Sequence, residues 1–288
     1  MSEEPSKVLP FIEHLVELRR RLIIIVIAVF IGMGFAWNLS DEILVHMEKP
    51  LTGVTYIDAA KQQIYRYLQT NYPAIYQRAD LEKELNKPRK QHALNYTKPL
   101  EPFFIQCKIS VIAGFILALP VVFYQLWAFV APGLTRRERK LVIPFMLTGT
   151  LAFCMGALFF LTTIWPFIIN FSLSYETEGL RSWLSLSAYV DFCLRLILMF
   201  GLIAELPVLT LLLARFGLVS YQFLAPKRKY ALLLSSIVAA FHSDLVTMFV
   251  IMIPMYMMYE VSVWVALIFG KKRPTPPPPE PAAEPETP

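Results

Sequence analysis

The chain has 288 residues, of which 56% are hydrophobic and only 17% charged, with a mean hydropathy of +0.50. A soluble domain carries roughly 25% charged residues, and the apolar residues here gather in blocks divided by charged clusters, so a single soluble core, a disordered chain and a collagen-like chain are all excluded. The net charge of +5 would raise nucleic acid as a partner for a soluble protein; here the placement of the charges matters more than their sum, and the lipid bilayer is the expected environment. Three widely spaced cysteines, Cys107, Cys154 and Cys193, suit neither a disulfide framework nor a zinc site.

The N-terminal segment, residues 1–21, places Phe11, Leu15, Leu18 and Leu22 on one helical face, with Glu13, His14, Glu17, Arg20 and Arg21 on the wetter faces. It reads as an amphipathic segment on the inner membrane surface that continues into the first span, Leu22 to Trp37 or Leu39, a retained anchor with no cleavage site. Residues 40–101 form a long polar loop whose charges nearly cancel and which has short helices but no span. Three blocks follow, Phe103 to Phe129, Leu141 to Leu173 and Leu186 to Phe216, each long enough to cross a hydrocarbon core of about 30 Å as one tilted or kinked helix. Pro120, Pro144, Pro166 and Pro207 interrupt them, each removing a backbone donor.

The last two blocks, Tyr230 to Phe241 and Leu245 to Tyr259, reach only about 18 and 22 Å. A re-entrant hairpin and two short crossings both fit. Basic residues on both sides, Lys227, Arg228, Lys229 and Lys271, Lys272, Arg273, favour two crossings with His242, Ser243 and Asp244 at a shallow outer turn. Lys7, Arg19, Arg20 and Arg21, then Arg136, Arg137, Arg139 and Lys140, mark the same side. The positive-inside rule then puts both termini in the cytoplasm of an all-α protein with six transmembrane helices, the last two short. Residues 22–269 form the membrane domain and residues 270–288 a disordered, proline-rich cytoplasmic tail. No internal repeat links the two halves, which weighs against a secondary transporter.

The run from His14 through Leu15, Glu17, Leu18, Arg19 and Arg21 resembles the HLxELRxR signature of the TatC family, the multispanning subunit of the twin-arginine protein translocase. Further blocks are similar in order: Pro50-Leu51, Pro120-Val121, Tyr124 to Leu134 with Glu138-Arg139-Lys140, Glu205-Leu206-Pro207-Val208, Arg228-Lys229-Tyr230, and Ile253 to Tyr256 with Glu260. The resemblance leaves out only the long first loop and the tail. It implies a non-enzymatic core receptor in the bacterial cytoplasmic (inner) membrane. Such a receptor binds twin-arginine signal peptides and, with single-span TatA- and TatB-type subunits in a multimeric complex, passes folded proteins across the membrane on the protonmotive force.

It also assigns the candidate sites. Glu17, Glu138 and Phe129, with Arg19 and Arg21 of the same motif, fall where a signal peptide is bound; carboxylates in a partly desolvated place are what a planar guanidinium pair requires. The plainer reading of Glu138 is a solvated acid among four basic neighbours. Glu205, Asp244 and Pro50 are the intramembrane and partner-binding positions. Asp244 follows Phe241-His242-Ser243, where the family commonly has Thr-Pro-Pro, and capping of the last helix is its other reading.

Within the fourth span Asp191 and Arg195 are four apart and can pair along one face, while Glu205 returns to about that side some 21 Å further on. A proton-coupled transporter using Glu205 and Asp191 is the alternative function, and a scaffold without transport a third. His14, His46 and His92 lack metal spacing and no phosphate loop occurs, so no cofactor and no catalytic site is expected.

Overall fold

The computed structural model describes residues 11–52, 56–73, 92–130, 142–177, 182–240 and 245–270. Among these residues the chain is helical, and the one pair of bridged backbones is Asn95 with Ser185. Helix α1 (Phe11–Trp37) joins the amphipathic segment and the first span without a break. Among the described residues of the long loop lie two helices, α2 (Ser40–Thr52) and α3 (Tyr56–Asn71). The second span is α4 (Glu101–Val130). The third consists of α5 (Val142–Phe159), a π turn over Phe160–Ile164, and α6 (Trp165–Leu173). Its irregular turn lies just before Pro166, whose ring and missing amide disturb the ladder behind it.

The fourth span is split at Glu205 into α7 (Leu186–Ala204) and α8 (Leu206–Arg215), again because Pro207 has no amide to donate. Helix α9 (Arg228–Ala240) is short, as the sequence predicts. Helix α10 is not short: it runs from Leu245 to Phe269, 25 residues and about 37 Å. The reading that ended it at Tyr259 took Glu260 for a boundary. That carboxylate is instead met by Arg228 at 2.9 Å and by the Tyr256 hydroxyl at 2.8 Å, so the apolar run resumes through Val261 to Phe269. Among the described residues five helical stretches are long and apolar enough to cross a membrane, and the shorter α9 is not one of them.

The core forms where α4, α5 and α7 meet and is closed on the side of the first loop by α2 and α6. Buried Trp165 and Tyr189 both donate to the Met47 carbonyl, at 2.9 and 2.6 Å, which ties α2 to the two spans beside it. Pro50 and Leu51, next along α2, are buried in the same contact. Glu101 fixes the start of α4: its oxygens accept the backbone amides of Thr97 at 3.0 Å, Lys98 at 3.3 Å and Ser187 at 3.1 Å.

Helix α1 stands apart from this core and packs chiefly on α4. The two backbones cross at Gly32 and Gly114, where a Cβ on Gly32 would lie 2.4 Å from the Gly114 carbonyl oxygen. The outward face of α1 is apolar, with Phe30 and Phe35 68% and 71% exposed, as expected of a helix in contact with lipid.

Asp191 does not pair with Arg195. Its two oxygens accept Lys108 Nζ of α4 at 2.7 and 2.9 Å, because α4 lies against α7 and brings an ammonium directly to the carboxylate. Lys108 is a charge within the second span that the sequence reading passed over. We expect Asp191→Asn and Lys108→Met each to lower detergent-solubilised thermal stability, and Lys108→Asp with Asp191→Lys to restore part of it. Each single change leaves a charge unmet, and with the two side chains 46% and 29% exposed the cost is on the order of 1 kcal/mol. Equal melting of all three variants would contradict this.

Candidate functional site

Beside the Lys108–Asp191 and Arg228–Glu260 pairs, two groups of the described residues bring ionisable side chains into a site. The first is built where the start of α1 meets the end of α4. Glu17 and Arg21 are one helical turn apart and form an ion pair, with Arg21 Nε donating to Glu17 Oε1 at 3.0 Å. A second Arg21 nitrogen also donates to Oε1, and a third contact reaches Gln125 Oε1 of α4 at 3.3 Å. The guanidinium fork therefore binds the two helices to each other through polar contacts. Both donors converge on one carboxylate oxygen, and Glu17 Oε2 accepts no hydrogen bond from the described residues.

One turn further along α4, Phe129 stacks on His14 with ring centroids 4.2 Å apart and planes 20° apart. One face of Phe129 is thus already covered by a ring of the same motif. Exposed apolar residues surround this group, including Leu15, Leu18 and Leu22 on α1 and Tyr124 and Leu126 on α4. Arg19 is exposed and points away from the pair. Glu138 lies outside the described residues. The structure therefore brings Glu17, Arg21 and Phe129 together, and it adds His14 and Gln125, which the sequence reading did not place at the site. The four-residue spacing of Glu17 and Arg21 was a visible signal; Gln125 lay within the block Tyr124 to Leu134 similar to the family, but no spacing along one helix could pair it with Arg21, 104 residues away.

The second place is the break in the fourth span. Glu205 occupies the junction with φ −73° and ψ −19°, and its side chain turns toward α5. There Gly149 makes room for it: a Cβ at Gly149 would lie 3.2 Å from Glu205 Oε2. The Phe153 backbone amide also faces this carboxyl. Glu205 Oε1 is buried and has no hydrogen-bond partner among the described residues. The side chain is therefore not spent on the carbonyl that Pro207 frees on its own helix. Asp244 lies outside the described residues, and Pro50 is buried on α2, away from this notch. Among the described residues no cluster of His, Cys, Asp and Glu could hold a metal.

A family model described as "Sec-independent protein translocase protein (TatC)" matches residues 13–254. This chain belongs to the TatC family. The match takes in both places just described. Among curated relatives, a Sec-independent protein translocase protein TatC of Desulforapulum autotrophicum is 34% identical over 95% of this chain and 89% of its own length. The one from Aquifex aeolicus is 30% identical over 92% of this chain and 98% of its own. A crystal structure of the twin-arginine translocase receptor TatC superposes with a TM-score of 0.66 at 30% identity, covering 88% of this chain and 97% of that one. As a TatC-family chain with several apolar spans, it is a multi-pass membrane protein and a translocase component, not an enzyme.

Proposed function

We propose that this chain is the receptor that binds twin-arginine signal peptides and, with single-span TatA- and TatB-type subunits, passes folded proteins across the bacterial inner membrane. The observation that carries the reading is the Glu17 carboxylate, clamped on one oxygen by Arg21 and accepting no hydrogen bond from the described residues on the other. An arginine of the signal donates its fork to that second oxygen while Arg21, itself bonded to Gln125 Oε1, holds the carboxylate in place, so the acceptor is ordered before the ligand arrives. Glu138 supplies the second carboxylate for the second arginine. The apolar rim of Leu15, Leu18, Leu22, Tyr124 and Leu126 takes the signal's hydrophobic segment.

Both termini face the cytoplasm, which puts Glu17 on the side where precursors are made. The notch at Glu205 is where partner helices dock in a multimeric complex, since its unpartnered buried oxygen asks for a donor from outside the chain. Partner recruitment on the protonmotive force then opens the route for cargo. The proton-coupled transporter reading loses support from the Lys108–Asp191 pair, which commits Asp191 to a structural contact.

A photo-crosslinking residue in place of Phe129 tests the reading. It is expected to capture a twin-arginine precursor and to lose that adduct when the signal's arginine pair is changed to lysines, while proton-driven uptake of small solutes is not detected. Solute uptake without precursor capture would favour the transporter. At Glu205, replacement by Gln is expected to preserve export, because the amide keeps a hydrogen-bonding group in the notch, whereas Glu205→Leu blocks it. Complete loss in Glu205→Gln with the complex still assembled would point to a proton-carrying role.

A further inference from the structure

The fourth span carries a row of residues for which signal binding has no use. Ala188, Asp191, Arg195, Leu198 and Leu202 recur along α7 at alternating steps of three and four, and Glu205 and Leu209 continue the rhythm past the break. That is the spacing with which one helix presents a seam to another. Ala188, Arg195 and Leu202 on the seam are exposed, and Asp191 and Leu198 are half-buried beneath them.

The seam has a charge that no described residue balances. Lys108 of α4 and Asp191 neutralise one another. Arg195, one turn beyond, is exposed and makes no hydrogen bond or ion pair with any described residue. A guanidinium does not give up its proton, so it stays charged at a depth of about 14 Å along the helix axis from Leu186. An arginine held unpaired within a span costs about 2.5–3.5 kcal/mol on insertion scales. The two ionisable levels of the seam are also of opposite kinds: Arg195 wants an acid, while Glu205, about 15 Å further along the axis, wants a donor.

We propose that this seam seats one membrane-spanning helix of a partner subunit, and that a carboxylate on that helix pairs with Arg195 and fixes the depth at which it docks. The proposal rests on the reading of the chain as a translocase receptor with single-span partners. Packing at this spacing brings the partner backbone closest at the small Ala188, and a bidentate Arg–carboxylate pair in a nearly dry seam fixes one register.

The test is to co-express the full chain with its single-span partner subunits and place a photo-crosslinking residue at Leu202, on the seam, or at Met155, exposed on α5, as a control. The expected result is a partner adduct from Leu202 that falls by about ten-fold or more in Arg195→Gln, as for the loss of one member of a desolvated charge pair, and that persists in Arg195→Lys. Arg195→Glu should lose the adduct, and a lysine in place of the partner's intramembrane acid should restore it; that rescue decides the matter if Arg195→Gln fails to accumulate. Precursor capture at Phe129 is read in the same membranes. If it is absent in the unaltered protein, the receptor reading fails. If it is present and the Leu202 adduct is indifferent to Arg195→Gln, the seam proposal alone is overturned, as it is if Leu202 captures only lipid or only a second copy of this chain.

Discussion

Membranes carrying Glu17→Ala are expected to show a fall of about ten-fold or more in capture of a twin-arginine signal at the Phe129 position, with the amount of the protein unchanged. A hydrogen bond to a charged group contributes about 1.5–3 kcal/mol, and each 1.4 kcal/mol is about ten-fold in affinity. Stability is spared because the pair that Glu17 makes with Arg21 is one helical turn long and partly exposed, the kind worth a few tenths of a kcal/mol. Glu17→Gln keeps the shape but loses the charge, so its capture should fall between the two. Glu138→Ala is expected to act in the same direction, and undiminished capture in both alanine variants would remove the basis for the receptor reading. Arg21→Ala separates two contributions. It frees Glu17 Oε1 but also loosens the carboxylate from Gln125, so weaker capture would show that order matters more than vacancy.

The second large effect is expected from Gly114→Val. A Cβ on Gly114 would lie 2.3 Å from the Met33 backbone nitrogen, far inside contact distance, and neither backbone can yield as a flexible side chain could. Overpacking costs about 1–3 kcal/mol in a core that can adjust, and two helix backbones in contact adjust less. Since α1 packs chiefly on α4, the two helices should separate at their crossing. Glu17 and His14 then move away from Gln125 and Phe129, and the site comes apart without any of its residues being touched. The measurement is a paired one: signal capture at Phe129 and the melting temperature of the purified protein, which are expected to fall together. Capture that survives a valine at Gly114 would mean the site does not depend on this crossing. Gly34, with nothing near its Cβ position, serves as the control, and Gly34→Val is expected to be tolerated for packing.

Much of the fold was legible because apolar block length reports a span directly: α1, α4 and the paired helices α5–α6 and α7–α8 fall where the blocks lie. The prolines also spoke locally. Pro166 and Pro207 mark the π turn and the break at Glu205, whereas α4 and α10 run through Pro120 and Pro254 without a break, so a missing amide shows where an irregularity can form and not that one must. The reading failed where a charge was met from elsewhere. Glu260 looked like the end of α10, yet Arg228, 32 residues away, keeps it within the helix. Asp191 had a suitable partner at the right spacing in Arg195 and took Lys108, 83 residues away, instead.

By itself the sequence determined that this is a helical membrane protein, where most of its spans lie, and which acids sit in costly or well-placed positions. Motif order identified its family before any coordinate was known. The tertiary structure decided which of those acids are satisfied within the chain and which are left for something else. Asp191 and Glu260 are satisfied, whereas among the described residues one oxygen of Glu17, one buried oxygen of Glu205 and the guanidinium of Arg195 find no partner. Spacing along one helix can propose a pair, but in a low-dielectric interior the strongest claim on a charge comes from whichever neighbouring helix packing brings within about 3 Å.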